Sequence, residues 1–239
     1  DAVHVCRNGT YVTTPNLATE KDGDVTVKVQ TNVQNDSSAQ AAAQIRTTVL
    51  DAEGKAVSKA VTTDVTLAAN STAEKEQTLK VNKPALWSTE NPNLYYVQTE
   101  VLVDGKVKDT YRTTYGFRYI NFDANTGFSL NGKNVKLKGV CMHHDQGALG
   151  AASERDAVYR QVKKLKEMGC NAIRTSHNTP SSVLLEACNE LGMMVMDETF
   201  DGWAFPKNGN SQDFSTHFNQ TISADNKLLG ATTGDTWYK

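Results

Sequence analysis

Apolar and polar residues alternate along the first half of the chain. Val25-Thr26-Val27-Lys28-Val29 is the cleanest run, and the stretches Ile45 to Leu50, Val57 to Leu67 and Leu79 to Val81 follow the same period of two. In a strand that period puts every second side chain on one face, so these segments predict strands with one buried side. Leu94 to Val103 and Lys106 to Tyr115 flank Asp104-Gly105, a pair that supplies the positive φ angles of a two-residue hairpin turn. Turn-forming stretches at Asn35-Asp36-Ser37-Ser38 and Asp51-Ala52-Glu53-Gly54 separate the others. About seven strands in roughly 110 residues predict an immunoglobulin-like β-sandwich, assigned to residues 1–116.

After Gly116 the pattern changes. A second hairpin signal at Asn131-Gly132 leads into Val135 to Met142, which reads as a strand. Ser153-Glu154-Arg155-Asp156 has the spacing of a capping box, followed by Val158, Val162 and Leu165 at i, i+4 and i+7, with Gly169 to close the helix. Asn171 to Ser176 reads as the next strand. Pro180 then opens a second helix with Leu184, Cys188 and Leu191 on one face and Gly192 as its cap, before a third strand at Met193 to Met196. Strand, helix, strand, helix, strand is the order of a parallel α/β domain, here residues 117–239, and the right-handed crossover leaves a doubly wound sheet or a (β/α) barrel.

The polar residues fall at the C-terminal ends of the predicted strands. His143, His144 and Asp145 follow the first; Ser176, His177 and Asn178 the second; Asp197, Glu198, Asp201 and Trp203 the third. Barrel enzymes build their sites from such ends, whereas a nucleotide-binding sheet would show a Gly-rich turn after its first strand, and Gly147 and Gly150 form no G-x-G-x-x-G. Three chemistries suit the clusters. Imidazoles and carboxylates can hold a divalent metal, but no His-x-His or H-E-x-x-H spacing is present, and His144 reads as a hydrogen-bonded structural residue. Cys141 near His143 could act as a nucleophile, though a thiol within an apolar strand reads as packing. The third chemistry is glycoside cleavage, which uses carboxyl pairs, His, Asn and Arg donors for hydroxyls, and an aromatic surface for the ring. Trp203 also suits a core and Glu198 a partnership with Arg174, so spacing alone leaves this open.

Composition narrows the classes further. The formal charge of -2 excludes a strongly basic nucleic-acid binder, and no apolar run reaches the ~18 residues of a transmembrane helix. Four cysteines without a Cys-x-x-Cys pair predict free, mostly buried thiols. Asn-x-Ser/Thr triplets at Asn8, Asn35, Asn70 and Asn219 leave localisation open.

Several segments resemble glycoside hydrolase family 2, most of all its β-galactosidases. Trp87-Ser88-Thr89-Glu90-Asn91-Pro92-Asn93-Leu94-Tyr95 is similar to the family's sandwich motif. Tyr115-Gly116-Phe117-Arg118 with Phe128 to Lys133 is similar to the junction into its barrel. Asn171 to Asn178 followed by Leu191 to Glu198 is the most specific match, and Gly139 to Gly147 favours a galactosidase over a β-glucuronidase. The resemblance implies an immunoglobulin-like sandwich followed by an incomplete (β/α)8 TIM barrel of about three βα units. It also implies a retaining hydrolase of terminal β-galactosides or related glycans, working without a cofactor. By the same resemblance His143, His177, Asn178, Asp201 and Trp203 contact substrate, while Arg174, Asp197 and Glu198 support the site. Asp201-Gly202-Trp203-Ala204 stands where some members carry magnesium ligands, so no metal is expected. The family's acid/base and nucleophile Glu residues lie on later strands, so both are expected downstream of Lys239, and the chain reads as an internal piece that is inactive alone. Asn189-Glu190 is a decoy on a helix. A partial barrel leaves sheet edges open and is expected to self-associate. The remaining alternative is a glycan-binding module that cleaves nothing.

Overall fold

The computed structural model describes residues 1–199. Its first part consists of β1 (Val3–Thr13), a short helix α1 (Leu17–Glu20), β2 (Asp24–Asn35), β3 (Ala41–Leu50), β4 (Val61–Leu67), β5 (Ser71–Asn82), β6 (Tyr95–Val103) and β7 (Lys106–Tyr115). These strands form two antiparallel sheets, β1-β2-β5 and β4-β3-β6-β7, packed face to face as a sandwich. The alternation read in the sequence sets the inner faces. Val25, Val27 and Val29 of β2 meet Val49 of β3, Val97 of β6 and Phe117, all fully buried. Each such valine contributes ~1.5–3 kcal/mol when removed from water. A second cluster joins Val3, Val5 and Val33 to Ile45, Val65, Leu67 and Val101.

One polar side chain spans the two sheets. Gln77 of β5 donates through Nε2 to the carbonyls of Ile45 and Val61, both at 3.0 Å, and accepts from Thr47 Oγ1 at 2.6 Å. The hairpin between β6 and β7 has positive φ at both Asp104 and Gly105, as the pair predicts. The expected strand at Val57 to Leu67 begins only at Val61. Before it, Val57 N–H donates to the Val49 carbonyl and Ser58 Oγ accepts from Val49 N–H, so those residues are held as a loop against β3.

A small antiparallel sheet of β8 (Ile120–Asp123), β9 (Gly127–Leu130) and β10 (Lys133–Asn134) follows, with its Asn131-Gly132 turn at positive φ. Next comes the parallel sheet β11-β12-β13, made of Gly139–Met142, Ala172–Thr175 and Met194–Met196. The predicted strand over Val135 to Met142 is therefore half as long. Residues 135–138 form no regular ladder: Val135 N–H donates to the Phe128 carbonyl of β9, the Asn171 side chain accepts from Lys138 N–H and donates to the Lys136 carbonyl, and the Lys138 carbonyl accepts from the backbone N–H groups of Asn171 and Ala172.

Helices α2 (Arg155–Glu167) and α3 (Ser182–Leu191) cover one face of this sheet. Val158, Val162, Ile173, Leu184, Ala187, Cys188 and Met193 form their shared core. The capping box expected at Ser153 does not form. Glu154 is the extended residue before the helix, its carbonyl takes the Val158 N–H, and no side chain caps the start. In α3 the cap is Ser181, whose Oγ accepts from Leu184 N–H; Pro180 lies one residue before it. Gly169 (φ 89°) and Gly192 (φ 74°) end the two helices in the left-handed region.

The sandwich is keyed to the base of this sheet. Trp87, between β5 and β6, is 1% exposed and donates from Nε1 to the Asn189 carbonyl in the last turn of α3 at 2.8 Å. That carbonyl is one of those a helix end leaves without an intrahelical partner. Asn131 Nδ2 donates to the Trp87 carbonyl, and the Arg118 guanidinium lies 4.6 Å over the indole ring. Lys166 Nζ, at the end of α2, reaches the carbonyls of both Thr89 and Gly192. Among the described residues the face of the parallel sheet turned away from the helices is open. A cavity of about 200 Å³ there is lined by Ile120, Phe122, Phe128, Leu137, Met194 and Met196, and Phe122 is 72% exposed.

Candidate active site

In a parallel sheet neighbouring strands bring residues of equal register side by side. Cys141 pairs with Arg174, and Arg174 with Met196, on the face turned away from the helices, because Ile173 between them points into the helix core. Arg174 therefore projects beneath the C-terminal strand ends. Its Nε donates to Glu198 Oε1, while Glu198 Oε2 meets His177 Nδ1 at 3.0 Å. The His143 ring stands edge-on to His177 with centroids 5.4 Å apart. Residues from three consecutive strand ends thus converge.

A buried residue that sequence reading missed holds this group together. Thr175 is 2% exposed; its Oγ1 accepts from Glu198 N–H at 3.1 Å and lies 3.5 Å from Asp197 Oδ1. It clamps the end of β13 to β12, which aims Glu198 at Arg174. The loop that presents His143 is tied down separately: Gln161 of α2 donates to the Asp145 carbonyl, and Gln146 donates to Gln161.

Partial burial disfavours the charged form of Glu198. The hydrogen bonds from His177 and Arg174, with their charges, outweigh that and hold its carboxyl below the usual range. An ionised Glu198 accepts from a proton on His177 Nδ1, and that bond orients the imidazole ring at the strand end. Arg174 is held more firmly charged, first by its hydrogen bond to Cys141 and then by Glu198.

Of the residues selected from sequence, Arg174, His177 and Glu198 form one network, with His143 beside it. Asn178 and Asp197 are exposed at the same strand ends, outside that chain of bonds. Asp201, Trp203 and Lys239, beyond which the two catalytic Glu residues are expected, lie outside the described residues. His144, expected to be structural, is exposed to solvent. Cys141, expected to pack within its strand, is exposed too, and of the four free cysteines only Cys188 is buried. Cys141 points to the face turned away from the helices, where no described element covers it. Asn189 and Glu190 sit on α3, with Glu190 facing Arg155 at 3.7 Å. Among the described residues no three His, Cys, Asp or Glu side chains gather as a metal-ligand set.

Two family models match the chain: glycosyl hydrolases family 2 over residues 3–118, and the TIM barrel domain of the same family over residues 124–233. A β-galactosidase of Bacteroides ovatus is 38% identical over 93% of this chain, which spans 26% of that enzyme's length. A crystal structure of a family 2 member from Bacteroides cellulosilyticus is 39% identical, with a TM-score of 0.81 over 92% of this chain and 28% of its own. A β-glucuronidase from Bacteroides uniformis is 30% identical, with a TM-score of 0.78 over 86% of this chain and 25% of its own. The sandwich, the parallel strands that follow it and the two family matches agree, and the chain belongs to glycoside hydrolase family 2.

Proposed function

We propose that this chain is the sandwich and opening barrel segment of a retaining glycosidase acting on terminal β-D-galactosides. The observation that carries the reading is the Arg174–Glu198–His177 network with His143 against it, at the C-terminal ends where a barrel presents its chemistry. In this reading the free edges of His143 and His177 hydrogen-bond sugar hydroxyls, with Asn178, Asp201 and Trp203 completing the subsite. Arg174, Asp197 and Glu198 hold those groups in place. The acid that protonates the leaving oxygen and the carboxylate that attacks the anomeric carbon come from later barrel strands, downstream of Lys239, so the 239-residue chain alone is inactive. No cofactor enters the reaction. The galactoside rests on the motif resemblance and on the Bacteroides ovatus relative; relatives named β-glucuronidase make the glucuronide the alternative substrate.

The test is hydrolysis of p-nitrophenyl β-D-galactopyranoside and β-D-glucuronide, by this chain and by a polypeptide extended through the remaining barrel strands. Galactoside hydrolysis by the extended form alone is expected. Preference for the glucuronide would replace the substrate, and hydrolysis by the 239-residue chain would overturn the missing-carboxylate reading.

The open sheet also supports self-association. Among the described residues β11 and β13 each pair on one side only, and Ile120, Phe122 and Met196 stay exposed beside them. Light scattering is expected to show a dimer or larger species, and a monodisperse monomer would count against it.

A further inference from the structure

Cys141 lies at the hub of this site without a part in the sugar reading. Among the described residues nothing covers its thiol, and Arg174 Nη1 lies 3.5 Å from the sulfur. Ser176, 5% exposed, has a buried hydroxyl with no aligned hydrogen-bond partner among the described residues. That hydroxyl adjoins the same sulfur, and first Ser176, then Arg174, holds the thiol below its ordinary range. The contrast within the chain is Cys188, buried among apolar side chains of α3, whose thiol is pushed up to about 12 by desolvation.

We propose that Cys141 is a modification site for small soluble disulfides, with Arg174 and Ser176 as the groups that make its sulfur reactive. The Cys141 thiolate attacks one sulfur of the disulfide, a new S–S bond forms to Cys141, and the reagent's own S–S bond breaks. The other half leaves as a thiolate with the electron pair, and excess free thiol reverses the exchange. A guanidinium beside the sulfur stabilises the thiolate, and a hydroxyl with a free hydrogen donates to it better than to a neutral thiol. The adduct takes the position that Arg174 Nη1 now faces. Because the same Arg174 holds Glu198, and Glu198 holds His177, modification reaches the His177 ring two hydrogen bonds away.

Neutral bis(2-hydroxyethyl) disulfide is the probe, since it carries no charge for Arg174 to attract. The full chain is incubated with it near pH 7, and adducts are mapped by mass spectrometry over time. Cys141 is expected to react first and Cys188 only on unfolding. For each unit by which a thiol pKa falls, the thiolate fraction rises about tenfold and its nucleophilicity drops about threefold, a net gain of about threefold. Arg174→Gln and Ser176→Ala are each expected to slow Cys141 by about threefold or more while leaving Cys6 and Cys170 unchanged. The His177 ring resonance is expected to shift on adduct formation and return with dithiothreitol. Reaction at Cys141 no faster than at Cys6 and Cys170, or unchanged rates in both variants, would overturn the assignment. Should Arg174→Gln not fold, Ser176→Ala and the His177 resonance still decide.

Discussion

Replacing Trp87 with Phe isolates a single hydrogen bond across the junction between the sandwich and the parallel sheet. Phenylalanine keeps an aromatic ring under Arg118 and against Gly116 but removes the Nε1–H that satisfies the Asn189 carbonyl. A buried acceptor left unpaired costs about 1–3 kcal/mol, and here it belongs to the last turn of α3. Opening of that turn should therefore become about five- to 150-fold more frequent. Hydrogen exchange reads this at the amides of Gly192 and Met193, which donate to the Cys188 carbonyl one turn back. Trp87→Ala, which also empties the ring's volume, should lower overall stability by about 3–5 kcal/mol in urea titrations followed by circular dichroism. The refuting result is specific. If Trp87→Phe leaves protection at Gly192 and Met193 within about twofold of the parent, the tryptophan serves only sandwich packing and the keyed junction is wrong.

Gly192→Ala should destabilise by more than about 2 kcal/mol, because a Cβ there would stand 2.4 Å from the Thr89 carbonyl oxygen and φ is already positive. Gly192→Asn, which tolerates the angle but still carries a Cβ, should lower Tm as well; full recovery with Asn would refute the close approach. Gln77→Leu should cost about 2–4 kcal/mol in urea unfolding, since it removes the bonds to the Ile45 and Val61 carbonyls and leaves the Thr47 hydroxyl only its 3.5 Å contact with Thr99 between the sheets. Glu198 has a folded-state pKa below its ordinary 4.5, so the stability it lends is present above that value and fades as pH falls through the lower folded value. Glu198→Gln should flatten that acid limb of the urea midpoint, measured from pH 6 to 3, and an unchanged limb would refute the linkage.

Much of this fold is legible because its inner faces are cut from regular patterns. The Val25–Val29 alternation needs only two sides, one wet and one dry, and both hairpin glycines sit where the turn demands positive φ. The misses share another cause: their determinants are far away in sequence. Residues 135–138 leave the regular ladder where the Asn171 side chain, more than thirty positions on, takes the Lys138 N–H and the Lys136 carbonyl. The outer half of β5 carries no apolar stripe and is a strand because β2 pairs with it residue by residue from Ser71 to Asn82. Four-residue α1 makes barely one turn, too short for its apolar spacing to repeat. In the site, residue type and strand-end position identify Arg174, His177 and Glu198, whereas Thr175 looks like an ordinary strand threonine until its hydroxyl is seen accepting from Glu198.

The two ends of the parallel strands answer to different demands. Trp87, Thr89 and Lys166 all engage the end where the helices finish and the strands begin, while His143, His177 and Glu198 stand at the other. Substitutions at the candidate site can accordingly drift without loosening the anchorage below. Relatives named for two different sugars can then share one chassis, and a swapped sandwich would dock only if its own loop carried the same two contacts, from Trp87 and Thr89, to the floor of the parallel sheet.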